Sequence, residues 1–288
     1  MRTVDQLLRD GARRLADVGD SPRLDAELLL AHAFGQARED LYRSLFASVP
    51  ADTEARYTQL LARRETRCPV AQLTGHREFW SLRLEVTRAT LVPRPETELL
   101  VERVLGRIPA DAAWSVADLG TGSGAIALAV ARERPACQVT ATDLSKPALA
   151  VARRNARALN VGNVTFKQGD WFESLPKPGA RKGRFHVLVS NPPYIATGER
   201  NLTDPELGFE PRVALYGGTD GLDAYRAITA QAPRYLHPDG WLLLEHGFRQ
   251  ANEVCALMKS AGFHSIMTTT DIAGHPRVSE GRFGEAVA

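Results

Sequence analysis

Asn191-Pro192-Pro193-Tyr194 follows the apolar run "FHVLV", which reads as a buried strand. Neither proline has an N–H to donate, so a strand ladder ends here and an asparagine and a tyrosine are fixed at its carboxyl end. The Asn191 side-chain oxygen and the Pro192 carbonyl are both acceptors. Two rigid acceptors suit a planar NH2 group with two hydrogens to donate, and Tyr194 offers a flat face for a planar substrate. The nitrogen of an amide or aromatic amine is a poor nucleophile because its lone pair is delocalised. Acceptors that hold its hydrogens as it turns tetrahedral stabilise the transition state more than the ground state. No strong base is required first, since the proton becomes acidic only as positive charge builds on nitrogen. A methyl sulfonium is the matching electrophile, and in-line displacement would draw much of its rate from alignment.

Such chemistry needs elements that hold the cofactor beside Asn191. From Trp114 onward, strand-like runs ("WSVADLG", "CQVTATD", "VTFKQGD", "FHVLVSN", "GWLLLEHG") alternate with helical ones. This alternation predicts βαβ units, a parallel sheet and helices on both faces, with ligands beyond the carboxyl ends of the strands. In "VADLGTGSGAIALA", Gly120, Gly122 and Gly124 form a strand-to-helix turn. Its spacing satisfies both the dinucleotide pattern and the glycine loop of S-adenosylmethionine enzymes, so by itself it means an adenosine-containing ligand. Asp143 ends the next strand, 19 residues after Gly124. It could accept both ribose hydroxyls or cap the following helix. Asp170-Trp171 ends the third strand, where an adenine amine and ring would fit. A dehydrogenase has no use for an Asn-Pro-Pro-Tyr after the fourth strand, and that resolves the loop toward S-adenosylmethionine.

Residues 1–73 read as a small helical bundle, 74–92 as a β-hairpin linker and 93–288 as the catalytic domain. In the bundle, Ser21 is the expected N-cap of "SPRLDAELLLAHAFG", Pro22 its first residue and Gly35 its stop. Residues 1–70 hold 11 basic and 11 acidic side chains, and the chain carries 36 basic and 34 acidic residues for a net charge of +2. That balance gives no electrostatic footprint for nucleic acid. Cys68, Cys137 and Cys255 lie far apart, with neither metal-ligand nor disulfide spacing, and no histidine constellation suggests a metal. No apolar run is long enough for a bilayer, and Asp5 and Asp10 argue against a transit peptide, so a cytoplasmic protein is expected; a monomer is the separate expectation for its assembly.

The order of "LVPRPETE", "DLGTGSGAIALA", "GDWF", "SNPPYI", "FEPRVALYGGTDGLDAYR" and "LLLEHG" behind a helical domain resembles the release-factor glutamine methyltransferase (PrmC/HemK) family of protein N5-glutamine methyltransferases. The likeness covers essentially the whole length. It implies a Rossmann-like α/β methyltransferase sheet with helices on both faces, dependent on S-adenosylmethionine. By position, Gly120, Thr121, Gly122, Ser123 and Gly124 would hold the methionine part, Asp143 the ribose, and Asp170 and Trp171 the adenine side, with Asn191 also touching the cofactor. Asn191, Pro192, Pro193 and Tyr194 would hold the substrate amide. The implied substrate is the glutamine of the Gly-Gly-Gln loop of class-one release factors, gripped elsewhere by the helical domain. Methylation of a ribosomal-protein glutamine, methylation of an exocyclic amine in nucleic acid, and a non-catalytic S-adenosylmethionine-binding adaptor are the competing readings. "DPELGFEP" departs slightly from the family's loop and is expected to be mobile. Arg94, Glu96 and Glu98 could wall the pocket or serve a helix start, and Glu245 and His246 could support the site or simply be structural.

Overall fold

The computed structural model describes residues 1–179, 183–201 and 205–284, with backbone alone at 200 and 201. Asp204, the first residue of "DPELGFEP", and the last four residues lie outside the described residues. Two compact units emerge, Met1–His76 with Asp204–Phe209, and Arg77–Thr203 with Glu210–Ala288.

The first unit holds α1 (Val4–Arg14), α2 (Pro22–Phe34), α3 (Arg38–Arg43), α4 (Ala51–Glu65) and α5 (Val70–Thr74). A capping box starts α1: the Thr3 side chain accepts from the Gln6 N–H, and Gln6 returns the bond to the Thr3 N–H. Ser21, Pro22 and Gly35 delimit α2 as expected, although the Ser21 side chain makes no capping bond. Leu7, Leu8, Leu29, Leu30, Tyr57 and Leu61 interlock in the core of this unit. The short turn Pro205–Phe209 belongs to it as well. Glu206 pairs with buried Arg64, and the Phe209 carbonyl accepts from Gln72. The described part of the segment expected to be mobile is thus tied down by an ion pair and a hydrogen bond.

At the start of the second unit stands the hairpin of β1 (His76–Phe79), whose first residue closes the first unit, and β2 (Leu82–Glu85). Both residues of its turn, Trp80 and Ser81, have positive φ, the backbone of a two-residue type I′ turn. Then come α6 (Thr97–Arg107), β3 (Ser115–Leu119), α7 (Ala125–Glu133), β4 (Gln138–Asp143), α8 (Lys146–Ala158), β5 (Val164–Gln168), β6 (Phe185–Ser190), α9 (Asp223–Tyr235), β7 (Leu236–Glu245), α10 (Ala251–Ser260), β8 (Phe263–Thr270) and β9 (Pro276–Phe283). The sheet order is β5-β4-β3-β6-β7-β9-β8. Five strands are parallel, but β9 runs antiparallel to both β7 and β8. The five strands read from the sequence are parallel as expected; β8 and β9, which lie outside those runs, are antiparallel because a tight turn joins them, where the Gly274 N–H donates to the Asp271 carbonyl. Parallel neighbours need a crossover of a dozen or more residues. Apolar clusters cover both sheet faces, one built on α6 and α7 and the other on α9 and α10.

The chain runs from β3 out to β4 and β5, then returns to place β6 on the other side of β3. That reversal opens a crevice beyond the carboxyl ends of β3 and β6. Their register pairs Val116 with Val187 and Asp118 with Val189. Two residues further on, the same register sets Gly120 level with Asn191.

In the helical unit, Gly11 shows where packing overrides propensity. A Cβ there would lie 2.0 Å from the Tyr57 hydroxyl and 3.1 Å from the Ala26 Cβ. Helix propensity alone would make Gly11→Ala stabilising by about 1 kcal/mol. The clash with buried Tyr57 reverses the sign, and we expect a loss of about 1–3 kcal/mol. Urea denaturation gives the sign directly, and a gain in stability would overturn the packing account.

Candidate active site

The glycine turn after β3 is stitched to its neighbours by backbone bonds. The N–H groups of Gly120 and Thr121 both donate to the Thr142 carbonyl at 2.9 Å. Gly120, Gly122 and Gly124 all have positive φ, as expected for this turn. Gly120 is constrained twice, because the Trp171 ring would lie 3.4 Å from any Cβ placed there. The carboxyl ends of β3 and β6 are joined by the Ser190 hydroxyl, which donates to the Leu119 carbonyl at 2.6 Å.

Beneath the turn lies Asp118, fully buried. One of its oxygens accepts from the Thr121 hydroxyl at 2.6 Å and the Ala127 N–H at 3.2 Å. The other has no partner among the described residues. Burial pushes this carboxyl up to about 7, and the donors of Thr121 and Ala127 only partly offset it.

Asp143 receives a backbone N–H on each oxygen, from Gly122 and from Ser145, both at 2.8 Å. The cap of α8 is Ser145, whose side chain accepts from the Ala148 N–H, so capping is not the role of Asp143. Burial is the main force on its carboxyl and raises it, against the two backbone donors. Each Asp143 oxygen keeps a lone pair for a further donor, which suits a ribose diol.

A cleft of about 970 Å3, counting its open mouth, joins these parts. Its wall includes Gly120, Thr121, Gly122, Ser123, Asp143, Asp170, Trp171, Asn191 and Pro193. Pro93, Arg94 and Thr97 close one side, and Pro211, Val213 and Ala214 another. Glu210 holds these two sides to each other. It is buried, bonds Arg94 at 2.6 Å and accepts from the Val92 N–H at 3.3 Å. Glu98 accepts from the Trp80 N–H at the hairpin, and Glu96 sits at the N-cap position of α6 without a side-chain capping bond; neither lines the cleft.

Pro192 and Tyr194 are not on this wall. Pro192 is buried, and the Tyr194 ring packs against the apolar cluster over the α9 and α10 face, where burial raises its hydroxyl. An aromatic ring gains more from that apolar surface than from an open cleft. The Pro192 carbonyl accepts from no donor among the described residues. The Asn191 amide nitrogen donates to the Thr97 hydroxyl at 3.1 Å, and its oxygen has no described donor. The Asn191 oxygen is thus available on the cleft wall, and the Pro192 carbonyl beside it keeps its acceptor capacity. His246 is engaged on both ring nitrogens, with the Gly247 carbonyl and the Ser279 hydroxyl, which is a structural arrangement.

Two residues here escaped sequence reasoning. Asn155, inside α8, bonds both the N–H and the carbonyl of Glu85 and also the Ser123 carbonyl, locking the hairpin onto the glycine turn. A buried asparagine inside an otherwise amphipathic helix is the only sequence signal it leaves. Thr97 lies in plain sight within "PRPETE", but the charged residues around it draw attention first.

Residues 6–75 match the PrmC N-terminal domain and residues 110–275 a methyltransferase domain. The chain is 47% identical over 260 residues to the release factor glutamine methyltransferase of Xylella fastidiosa, covering 90% of this chain and 93% of that one. It is 40% identical to the protein of the same name in Coxiella burnetii, over 99% and 100% of the two chains. This chain belongs to the release factor glutamine methyltransferase family. A solved methyltransferase from Pyrococcus furiosus, 21% identical, shares the fold with a TM-score of 0.53 over 71% of this chain and 90% of its own. The protein is therefore an S-adenosylmethionine-dependent methyltransferase, and the glycine turn, the doubly bonded Asp143 and the cleft beside them fit that cofactor. Among the described residues no cluster could hold a metal ion, and no helix is long and apolar enough to cross a membrane.

Asp118 generates a prediction with a definite sign. Burial pushes its carboxyl up to about 7 from the ordinary 3.8. The Asp118 contribution to stability is therefore greatest below pH 4, falls as pH rises to about 7 and then levels. Asp118→Asn keeps an acceptor for Thr121 and Ala127 but cannot ionise. Wild type should lose roughly 4 kcal/mol relative to the variant between pH 4 and 8. Urea denaturation of both proteins across that range measures it, and parallel curves would show that Asp118 does not titrate in this way.

Proposed function

We propose that this enzyme transfers the methyl group of S-adenosylmethionine to the side-chain amide nitrogen of the glutamine in the Gly-Gly-Gln loop of class-one peptide-chain release factors, giving N5-methylglutamine. The observation that carries the reading is the Asn191 side-chain oxygen, without a described donor and level with the glycine turn on the wall of one cleft, with the Pro192 carbonyl, also without a described donor, next to it in the chain. Relatives at 40–47% identity that bear the name of release factor glutamine methyltransferases support the choice of protein substrate.

The two acceptors hold the two hydrogens of the primary amide and present its nitrogen toward the cofactor side of the cleft. S-adenosylmethionine supplies a methyl carbon made electrophilic by the neighbouring sulfonium. As the nitrogen turns tetrahedral its hydrogens become more acidic, and their bonds to Asn191 and Pro192 strengthen. This is binding that grows toward the transition state. A carbon–nitrogen bond forms, the carbon–sulfur bond breaks with its pair going to sulfur, and one amide proton passes to solvent water once transfer is under way. Asp143 takes the ribose, and Trp171 with Asp170 the adenine side. Tyr194, seated behind the loop, keeps Asn191 and Pro192 in place. Residues 1–73 serve as the module that grips the release factor away from its Gly-Gly-Gln loop, with 74–92 as the linker to the catalytic domain of 93–288.

Labelled methyl should pass from S-adenosylmethionine to a purified class-one release factor. Mass spectrometry should map it to the Gly-Gly-Gln glutamine, and replacing that glutamine should abolish it. Label elsewhere on the factor, or none, would sink the assignment. Asn191→Ala should keep cofactor affinity while losing about 10²–10³-fold in transfer, the cost of one preorganised transition-state partner. Asp143→Ala should weaken cofactor binding by calorimetry. Equal loss of binding and transfer in Asn191→Ala would remove Asn191 from its role.

A further inference from the structure

We propose that Thr97 and Glu245 are positioning residues that fix the Asn191 amide with its nitrogen toward the protein and its oxygen toward the cleft. The inference rests on the role of Asn191 given above. An asparagine amide has two faces of opposite character, and only the oxygen can accept a substrate N–H. A half-turn about the last side-chain bond would present a donor to the substrate amide and abolish the interaction. Something must set that choice.

The setting comes from a chain of three side chains drawn from three separate segments. Asn191, just beyond β6, donates from Nδ2 to the Thr97 hydroxyl at 3.1 Å. Thr97 opens α6 and is 4% exposed. Glu245 ends β7, is 3% exposed, and its carboxylate interacts with both the Thr97 hydroxyl and the Asn191 amide. One of its oxygens has no partner among the described residues. An ionised carboxylate can only accept. The Thr97 hydrogen therefore turns to Glu245, which leaves the Thr97 oxygen to accept from Asn191, and Nδ2 is the only part of Asn191 that this pair will tolerate. In the reversed orientation, Asn191 Oδ1 would face a carboxylate and a hydroxyl whose hydrogen is already committed. That places acceptor against acceptor in a buried site, at a cost comparable to a buried unsatisfied group.

The charge on Glu245 makes the lock depend on pH. Burial raises this carboxyl to about 7, with Glu96 raising it further, while the Thr97 and Asn191 donors and the positive charge of Arg277 act the other way. The Tyr194 and Tyr225 phenols also face it, the latter bonding the Glu245 carbonyl at 2.9 Å. Neighbouring His246 is occupied by Gly247 and Ser279 and turns its ring elsewhere. Above pH 7 Glu245 is an acceptor and enforces the orientation. Below it, the protonated acid can donate, so the reversed amide becomes acceptable and the competent fraction falls.

The test compares wild type, Asn191→Ala, Thr97→Val, Thr97→Ser and Glu245→Gln on S-adenosylmethionine and a purified class-one release factor. Thr97→Val should lower kcat by about a hundredfold, the scale of a misplaced reacting group, with unchanged KM for S-adenosylmethionine and a lowered thermal midpoint, because the partners of the lost hydroxyl are buried. Thr97→Ser, which keeps the hydroxyl, should restore most of it. Wild-type kcat should rise with pH through about 7, and Glu245→Gln should lose that rise because its amide stays neutral throughout. Wild-type activity matched by Thr97→Val, or a pH arm retained in Glu245→Gln, overturns the positioning role and leaves the substrate reading intact. Wild type that transfers no methyl to the factor overturns the substrate reading, and this one with it. Should Thr97→Val fold poorly, the Glu245→Gln pH profile still decides the matter.

Discussion

The parallel pairing of β3 with β6 is the constraint on which the site depends. It joins segments about seventy residues apart in sequence, with Val116 opposite Val187 and Asp118 opposite Val189. A slip of one residue would turn every side chain of β6 to the other face of the sheet. Because both faces are buried under helices, such a slip would drive Val187 and Val189 out of one apolar cluster and Leu188 out of the other. The hydrophobic effect that stabilises the sheet therefore also fixes the depth at which the glycine turn meets the Asn-Pro-Pro-Tyr loop. The Ser190 bond to the Leu119 carbonyl closes the pairing at the edge of the cleft.

On that frame the chain accepts two buried carboxylates that a stability-driven sequence would avoid. Asp118 supports the glycine turn through Thr121 and Ala127, and Glu245 stands behind Asn191. Each has an oxygen with no partner among the described residues, and each is pushed up to about 7 by burial. An unpaired buried charge costs stability, so these positions are where the fold gives up free energy to hold ligand-binding backbone and side chains in one arrangement. Elsewhere buried carboxylates are paired fully. Glu210 meets Arg94 and the Val92 N–H, and Glu280 meets Arg103 and Arg107. The Glu210 pairing matters for the cleft, because it fastens the segment of Pro211, Val213 and Ala214 to the segment of Pro93 and Arg94 on the opposite wall.

Local patterns made most of the second unit legible. The strand and helix runs from Trp114 to Gly262, the hairpin within 74–92 and the start of α6 beside Glu96 follow from periodicity and proline placement, whereas the turn at Trp80 and Ser81 carries no turn residue that announces it. The antiparallel pair at the end was not legible. β8 and β9 carry mixed polar and apolar residues, and their direction is set by the short turn that joins them and by the free edge of β7. Tyr194 likewise reads as a substrate platform from its place after two prolines. Its ring turns inward because an apolar surface is waiting there, which no neighbouring residue announces.

What the sequence alone determined is the set of pieces whose geometry is local. These are the positive-φ glycines of the turn, the ladder-ending prolines after Val189, and the alternation that demands a sheet clothed in helices. They suffice for the fold class and for the kind of cofactor. Tertiary structure alone decided which side chains stand behind those pieces. Thr97 and Asn191 are 94 positions apart, Asn155 and Glu85 are 70 apart, and Glu245 reaches Asn191 from a third segment. Hydrogen bonds across such separations leave no period in the sequence. They exist only once the reversal of strand order at β3 and β6 has gathered the carboxyl ends of distant strands at one rim.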